Sequence, residues 1–177
     1  NDAIVAVDDT DSVNEGATIS RTVSDPQELD HDDTDVDGDD ASGNFTITDI
    51  RTGPKDGNGT DGTVGVALTG EFGTLTVNAD GSYTYVADQT KSDQLVTGQT
   101  GTDTFTYTVS DGTATSTASL TFTVTGINDN DPVAVDDTDS VNRDATISRA
   151  ADTAFDINAD DTDADGETLT ITEVRTG

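Results

Sequence analysis

The chain repeats itself over a long interval. Residues 5–14, VAVDDTDSVN, return unchanged as residues 133–142, an offset of 128 positions. The acidic segment DTDVDG at 33–38 returns at the same offset as DTDADG at 161–166. Self-similarity at a long fixed period is typical of proteins in which one module is copied along the chain. The repeat therefore predicts a tandem array of modules before it predicts any chemistry.

Within the module, apolar residues alternate with threonine. Phe105, Tyr107 and Val109 are each separated by one threonine, a period of two that is typical of half-buried β-strands, and helical periodicity is absent. Gly, Asp and Asn residues between the runs favour tight turns and hairpins. The pattern predicts an all-β, antiparallel sandwich of about seven or eight strands. The expected strands are residues 4–7, 17–22, 45–50, 64–68, 72–77, 82–87, 104–109 and 119–124.

The repeat also predicts the domain boundaries. Residues 1–128 are expected to form one complete sandwich, and residues 129–177 to be the opening portion of the next, with a linker at 126–132. A different division is possible, because residues 45–177 contain one full set of strands if the later copy of the opening segment is used. In that case residues 1–44 would be the unpaired piece.

The charge restricts the partners that the chain can have. Thirty-seven Asp and Glu residues against 7 Lys and Arg give a net charge of −30. Nucleic acids and anionic membranes bind basic surfaces, so we expect neither nucleic-acid binding nor membrane insertion, whereas cations are attracted. The chain contains no cysteine, which excludes disulfides and favours metal ions as the stabilising element.

The acidic segments are the candidate cation sites. Asp33, Asp35 and Asp37 have the Asp-x-Asp-x-Asp-Gly spacing that opens an EF-hand calcium loop, with Asp39 close behind. An EF-hand needs a bidentate Glu at position twelve, where this chain has Asn44, so we expect a similar acidic turn on a β-scaffold. Asp161, Asp163 and Asp165 repeat the pattern, with Glu167 as a nearby candidate. The alternative interpretation is a solvated or salt-adapted acidic surface without specific ions.

Two further groups are candidate calcium ligands. One follows the expected first strand and its copy, and the other is the linker, where side chains from both sides can reach one ion. Because Asn and Asp also favour turns, an ion-free turn is the alternative for both groups. The residues are Asp8, Asp9, Asp136, Asp137, Asn128, Asp129, Asn130 and Asp131.

Nothing in the sequence predicts catalysis. His31 is the only histidine, and it lies among aspartates, where an exposed, charge-balancing role is expected. No serine or threonine lies in an activating motif, and no glycine-rich phosphate loop precedes a helix. The aromatic residues fall in expected strands and are accounted for by the core. We therefore expect a protein that is not an enzyme.

Five segments of the chain carry a family resemblance. They are ND at 128–129, VAVDD at 133–137, DTDADG at 161–166, GTLTVNADGSYTY at 73–85 and TDTFTYTVSDG at 102–112. Together they resemble the VCBS and bacterial cadherin-like repeats of large RTX-type surface adhesins. The linker is also similar to the cadherin junction motif Asp-x-Asn-Asp-Asn, with Gly126 in place of its first Asp.

The resemblance implies a Greek-key, Ig-like or cadherin-like sandwich in a tandem array, exported to the bacterial cell surface. It also implies an extender module of an adhesin with a role in cell adhesion or biofilm formation, stiffened by calcium at its loops and junctions. Its partners would be neighbouring repeats of the same chain and calcium ions. The alternative is an adhesive module that itself binds a glycan, a surface or another copy of itself, with residues 53–65 as the contact loop.

Overall fold

The computed structural model describes residues 3–35, 45–149 and 157–175. Its eight strands all lie between Asp9 and Thr125. No helix among these described residues is long and apolar enough to span a bilayer. The strands are β1 (Asp9–Asn14), β2 (Thr18–Arg21), β3 (Thr46–Thr52), β4 (Leu68–Thr69), β5 (Thr74–Val77), β6 (Tyr83–Val86), β7 (Thr100–Ser110) and β8 (Thr115–Thr125).

The strands form two four-stranded sheets, in the orders β1-β8-β7-β3 and β2-β6-β5-β4. The chain crosses between the sheets after β1, and this arrangement confirms the predicted sandwich. All pairs are antiparallel except one, since β1 runs parallel to β8. The pattern of apolar residues cannot show strand direction, so the parallel pair was not predictable from it.

The core is an aromatic cluster that joins the two sheets. Tyr85 of β6 stacks on Phe122 of β8, with ring centroids 4.0 Å apart and planes 9° apart. Phe105 of β7 packs edge-on against both rings. All three side chains are fully buried. Offset-stacked and edge-on aromatic pairs add to the stabilisation from buried area, so this cluster fixes how β6 faces β7 and β8.

The prediction of a strand at residues 4–7 was wrong. There Val5 makes only an isolated bridge to Thr34, and the strand begins at Asp9 instead. The inward positions of β1 include Asp9 and Asp11, which a hydrophobic pattern assigns to the solvent. They are tolerated because Tyr107 donates its hydroxyl to Asp9, and Arg21 binds Asp11 through two nitrogens. Of the strand expected at residues 64–68, only Leu68 lies in a strand, the two-residue β4 (Leu68–Thr69).

Asp103 of β7 is a buried carboxylate that holds the turn before β5. Its Oδ1 accepts a hydrogen bond from the Glu71 amide at 2.7 Å. Its Oδ2 accepts from the Phe72 and Gly73 amides, both at 2.9 Å, and from the Tyr85 hydroxyl at 2.7 Å. Bonds to an ionised acceptor are stronger than neutral ones. Asp103 therefore links the loop before β5 to both sheets.

Replacing Asp103 with Asn keeps the shape but leaves one acceptor oxygen where two oxygens now receive four donors. We expect the free energy of unfolding to fall by about 2 to 4 kcal/mol, since buried donors lose a charged acceptor. Urea denaturation with an unchanged m-value would measure this loss. Asp56→Asn, which alters an exposed loop carboxylate, is the charge-matched control and should change stability by less than about 0.5 kcal/mol. Equal effects of the two substitutions would contradict the assignment.

Candidate metal centre

Five carboxylates converge where the first sandwich meets the second copy of the repeat. Glu15 comes from the first sandwich, Asp129 from the linker, and Asp163, Asp165 and Glu167 from the second copy; together they are the junction cluster. Glu15, Asp129 and Asp165 form one group whose ligand oxygens lie within 4.8 Å of one another. Asp163, Asp165 and Glu167 form a second group under the same limit, so Asp165 is common to both.

Glu15 reaches the junction because β1 ends one residue earlier. Its amide donates to Thr125 of β8 at 2.9 Å, which carries the parallel ladder one step further. The chain then turns at Gly16, whose φ of 67° lies in the left-handed region that glycine adopts readily. The Glu15 side chain is buried, and its Oε1 accepts from the Ile127 amide at 2.6 Å. Its Oε2 is buried without a hydrogen-bond partner.

Asp165 ties the second copy to the linker. Its Oδ2 accepts from the amides of Asp129 and Asn130, at 3.1 and 2.9 Å. Its Oδ1 accepts from the Asn130 side-chain amide at 2.6 Å. The Asp165 residue is fully buried. Asn130 also donates to Asp129 Oδ1 at 2.9 Å, so the asparagine positions two carboxylates of the cluster at once.

The remaining two carboxylates extend the cluster towards the loop between β6 and β7. Asp163 Oδ1 accepts from the Asp165 amide at 2.9 Å, which forms a tight acidic turn. Glu167 Oε1 accepts from the Thr97 hydroxyl at 2.5 Å. Its Oε2, like that of Glu15, is buried and has no hydrogen-bond partner. The second copy therefore contacts the first sandwich directly, through a threonine of that loop.

The junction cluster concentrates negative charge, which affects the pKa values of its carboxylates. Burial raises the pKa of Glu15, and repulsion from Asp129 and Asp165 acts in the same direction. Hydrogen bonds from the Asn130 side chain lower the pKa of Asp165, and the Thr97 hydroxyl lowers that of Glu167. Among the described residues, no ion pair joins a Lys or Arg to these five carboxylates. Their negative charge therefore has no cationic partner in the described part of the chain.

The donor set fits a calcium ion. All five side chains offer oxygen, the ligand atom of hard cations, and calcium accepts about six to eight oxygens in flexible geometry. The two buried oxygens without hydrogen-bond donors are the independent sign, since such groups are costly unless something compensates them. An ion at this position would supply positive charge, and the backbone amides of the linker would hold Asp165 in place.

Some predicted ligands belong to this cluster and others serve the fold. Asp129, Asp163 and Asp165 are members, and Asn130 supports them through hydrogen bonds. Asn128 lines a neighbouring cavity with Pro132 and Val133, whereas Asp131, Asp136 and Asp137 are exposed. Asp37 and Asp39 lie outside the described residues. Whether any of these residues binds calcium stays a prediction.

Asp33 and its counterpart Asp161 occupy the same local geometry. Asp33 Oδ1 accepts from the Val7 amide at 2.8 Å, and Asp161 Oδ1 accepts from the Val135 amide at 2.8 Å. Each acidic segment is therefore tied to the strand-like segment at the start of its own copy. Asp33 is buried, and Asp35, two residues on, is partly buried. This hydrogen bond gives Asp33 and Asp161 a structural role in each copy. Calcium binding would be a further role of the same residues.

Asp8 and Asp9 are likewise engaged by the first sandwich. Asp8 forms an ion pair with Lys55 at 2.9 Å and accepts from the Ser119 amide at 2.9 Å. These contacts lower its pKa, with the Ser119 bond as the largest cause. Asp9 accepts from the Tyr107 hydroxyl at 2.7 Å. Neither residue belongs to the junction cluster.

Sequence reasoning missed Glu15 as a candidate ligand and named Glu167 only as a neighbour of the acidic turn. Comparison of the two copies contains the signal for both. Glu167 lies at the position of Asp39, so an acid recurs there, and Glu15 is replaced by Arg143 in the second copy. A carboxylate that changes to the opposite charge between otherwise identical segments marks a position where the environment differs.

Comparison with known proteins identifies the family. The model of the bacterial cadherin-like domain matches residues 1–126. The chain belongs to the bacterial cadherin-like domain family. Members of this family are structural and adhesive, which indicates an adhesin-type extracellular module. That this chain lacks enzymatic activity remains a prediction.

Two other comparisons add little. No curated protein matches the chain. A solved NMR structure of a protein from Bacteroides thetaiotaomicron is similar at 12% identity with a TM-score of 0.33, over 73% of this chain and 92% of that one. At this level of similarity the match supports no argument about the bacterial cadherin-like chain.

Buried acids make the calcium-free protein sensitive to pH. Burial raises the pKa of Asp9 and of Asp33 to about 7, and that of Glu28 to about 8. These acids hold protons more tightly when folded than when unfolded. Their stabilising effect is therefore complete below their ordinary pKa near 4, and is lost as the pH rises through 7 to 8.

Without calcium, we therefore expect the free energy of unfolding to decrease between about pH 5 and pH 8. Urea denaturation in calcium-stripped buffers at constant ionic strength measures this slope. Asp33→Asn removes one of the titrating groups and should make the slope shallower, whereas Asp56→Asn in the exposed loop should not. A stability that rises steadily over this range would show that these acids are ionised in the folded protein.

Proposed function

We propose that this chain is a calcium-stabilised extender of a long bacterial surface adhesin. Residues 1–128 would form one repeat and residues 129–177 would open the next. The junction cluster is the observation that supports this proposal. It combines Glu15 of the first sandwich with Asp165 and Glu167 of the second copy, so one bound ion would connect two repeats.

Calcium would act at the junction by replacing repulsion with attraction. Without an ion, five carboxylates face one another, and at 4 Å each pair of charges costs about 1 kcal/mol even in water. This repulsion would favour conformations in which the linker bends and the two copies separate. With calcium bound, the same carboxylates hold the second copy against the loop that carries Thr97. The repeats would become aligned, which is the property that a spacer needs.

The concentration range agrees with an extracellular role. Calcium sites of extracellular modules have dissociation constants of about 0.1 to 1 mM. At roughly ten to a hundred times that constant, binding stabilises the folded state by about 1.4 to 2.7 kcal/mol per site. Cytosolic calcium is far below this range. The module would therefore be pliant before export and stiff at the cell surface, where its partners are neighbouring repeats of the same chain.

Thermal unfolding in EDTA, then in millimolar calcium, tests the calcium requirement. A stabilisation of this size should raise the melting temperature by about 5 to 10 °C. Magnesium at matched ionic strength should do less, because it loses its water ligands reluctantly. The double variant Glu15→Gln with Asp165→Asn should lose most of the calcium response. Asp56→Asn with Asp61→Asn removes the same charge from exposed loop positions and should keep it.

Two results would overturn the calcium assignment. An equal response to magnesium or to sodium chloride would mean that the ions only screen charge. A full calcium response in the Glu15 and Asp165 double variant would place the responsible site elsewhere.

The alignment of the repeats can be measured separately. Because the chain has no cysteine, Thr102→Cys and Thr172→Cys would place two spin labels at exposed positions, one in β7 and one in the second copy. Calcium should narrow the distribution of distances between them, as seen by pulsed electron resonance. The same labels on the Glu15 and Asp165 double variant should give a broad distribution with and without calcium. A distribution that calcium does not change in the wild-type chain would refute the spacer role.

A further inference from the structure

A second pair of buried carboxylates lies inside the first sandwich, outside the junction cluster. Glu28 and Asp30 are 4% and 2% exposed. They line a cavity of about 640 Å³ whose wall also includes His31 and Asp80. None of these residues belongs to the junction cluster, and none was predicted as a ligand from the sequence. The pair therefore needs an explanation of its own.

The backbone forces the two carboxylates together beside a glycine. Leu29, between them, donates its amide to the Gly81 carbonyl at 3.3 Å, which fixes this segment on the turn between β5 and β6. A Cβ built on Gly81 would lie 2.6 Å from Glu28 Oε2 and 2.7 Å from Asp30 Oδ1. A side chain at this position would have to displace both carboxylates. Two carboxylate oxygens from different residues thus converge on one point above the turn.

The charge of the pair has no visible compensation. Glu28 Oε2 is buried and has no hydrogen-bond partner. Among the described residues, no ion pair joins a Lys or Arg to Glu28 or Asp30. Burial raises the pKa of Glu28 to about 8, and contact with Asp30 adds to the shift. Two adjacent buried carboxylates require either a shared proton or a cation.

We propose that Glu28 and Asp30 bind one divalent cation, calcium, within the first sandwich. The donor atoms are all oxygen, which selects hard cations. A proton shared between Glu28 Oε2 and Asp30 Oδ1 would leave the buried pair with one negative charge, whereas a divalent ion neutralises both carboxylates. Asp80, on the wall of the same cavity, and water supply further oxygens. This ion fastens the turn between β5 and β6 to residues 28–30, independently of the junction.

Counting bound calcium on the full chain tests the site. Equilibrium dialysis at neutral pH would compare the wild type with the double variant Glu28→Gln and Asp30→Asn. The variant should bind one ion fewer. The junction variant, Glu15→Gln with Asp165→Asn, should keep this ion and lose junction binding, so that failure of one site is distinguished from failure of the other. An unchanged ion count in the first variant overturns the proposal.

Amide NMR gives a readout that does not depend on folding of the first variant. In the junction variant, calcium should shift the Gly81 and Leu29 amides along a saturable curve. If these amides do not move at saturating calcium, the carboxylates share a proton and the proposal is wrong. In that case Glu28→Gln should also raise the calcium-free stability without changing the ion count.

Discussion

The structure depends on how a chain with very few cations compensates its carboxylates. Seven lysines and arginines face thirty-seven acids, so ion pairs within the chain can serve only a small minority. Elsewhere the described residues use neutral donors. Asp103 collects three backbone amides and a tyrosine hydroxyl, and Asp9 takes the Tyr107 hydroxyl. These buried acids stabilise the sandwich, because each holds at least one hydrogen-bond donor from another part of the chain in position.

The two copies of the repeat show which of these arrangements are local. Arg21 binds Asp11 in the first copy, and Arg149 binds Asp139 in the second. The turn after β1 has a φ of 67° at Gly16, and its counterpart Asp144 has a φ of 63°. Asp tolerates this conformation better than most residues with a Cβ. These two features therefore form in the second copy without the strand pairing that β1 and β2 have in the first.

The hydrophobic core depends on the partner strands, and the local sequence alone does not form it. Val141 and Ile157 of the second copy are exposed, whereas their counterparts Val13 and Leu29 are buried in the first sandwich. Burial of such side chains contributes about 1.5 to 3 kcal/mol each. The described part of the second copy therefore has the turns and the ion pair of the first copy but not its core.

The same distinction explains what the sequence could predict. The hairpins β5–β6 and β7–β8 followed from alternating Tyr, Phe and Val with Gly turns between them, because both signals are local. β1 did not, since two of its inward residues are aspartates whose donors, Tyr107 and Arg21, come from other strands. The acidic turn at Asp163 and Asp165 could be predicted from its spacing. That spacing does not include Glu15, which approaches the turn only through the fold.

The hydrogen-bond donors of the chain compensate its buried acids only in part. Within the sandwich, most buried acids described above receive amides or hydroxyls from the chain itself, and these bonds exist without any ion. Glu15 and Glu167 at the junction, like Glu28 and Asp33 of the first sandwich, each keep one buried oxygen for which the described residues offer no donor. Under the proposed function, the position of the next repeat depends on the medium, because an external cation would complete the junction.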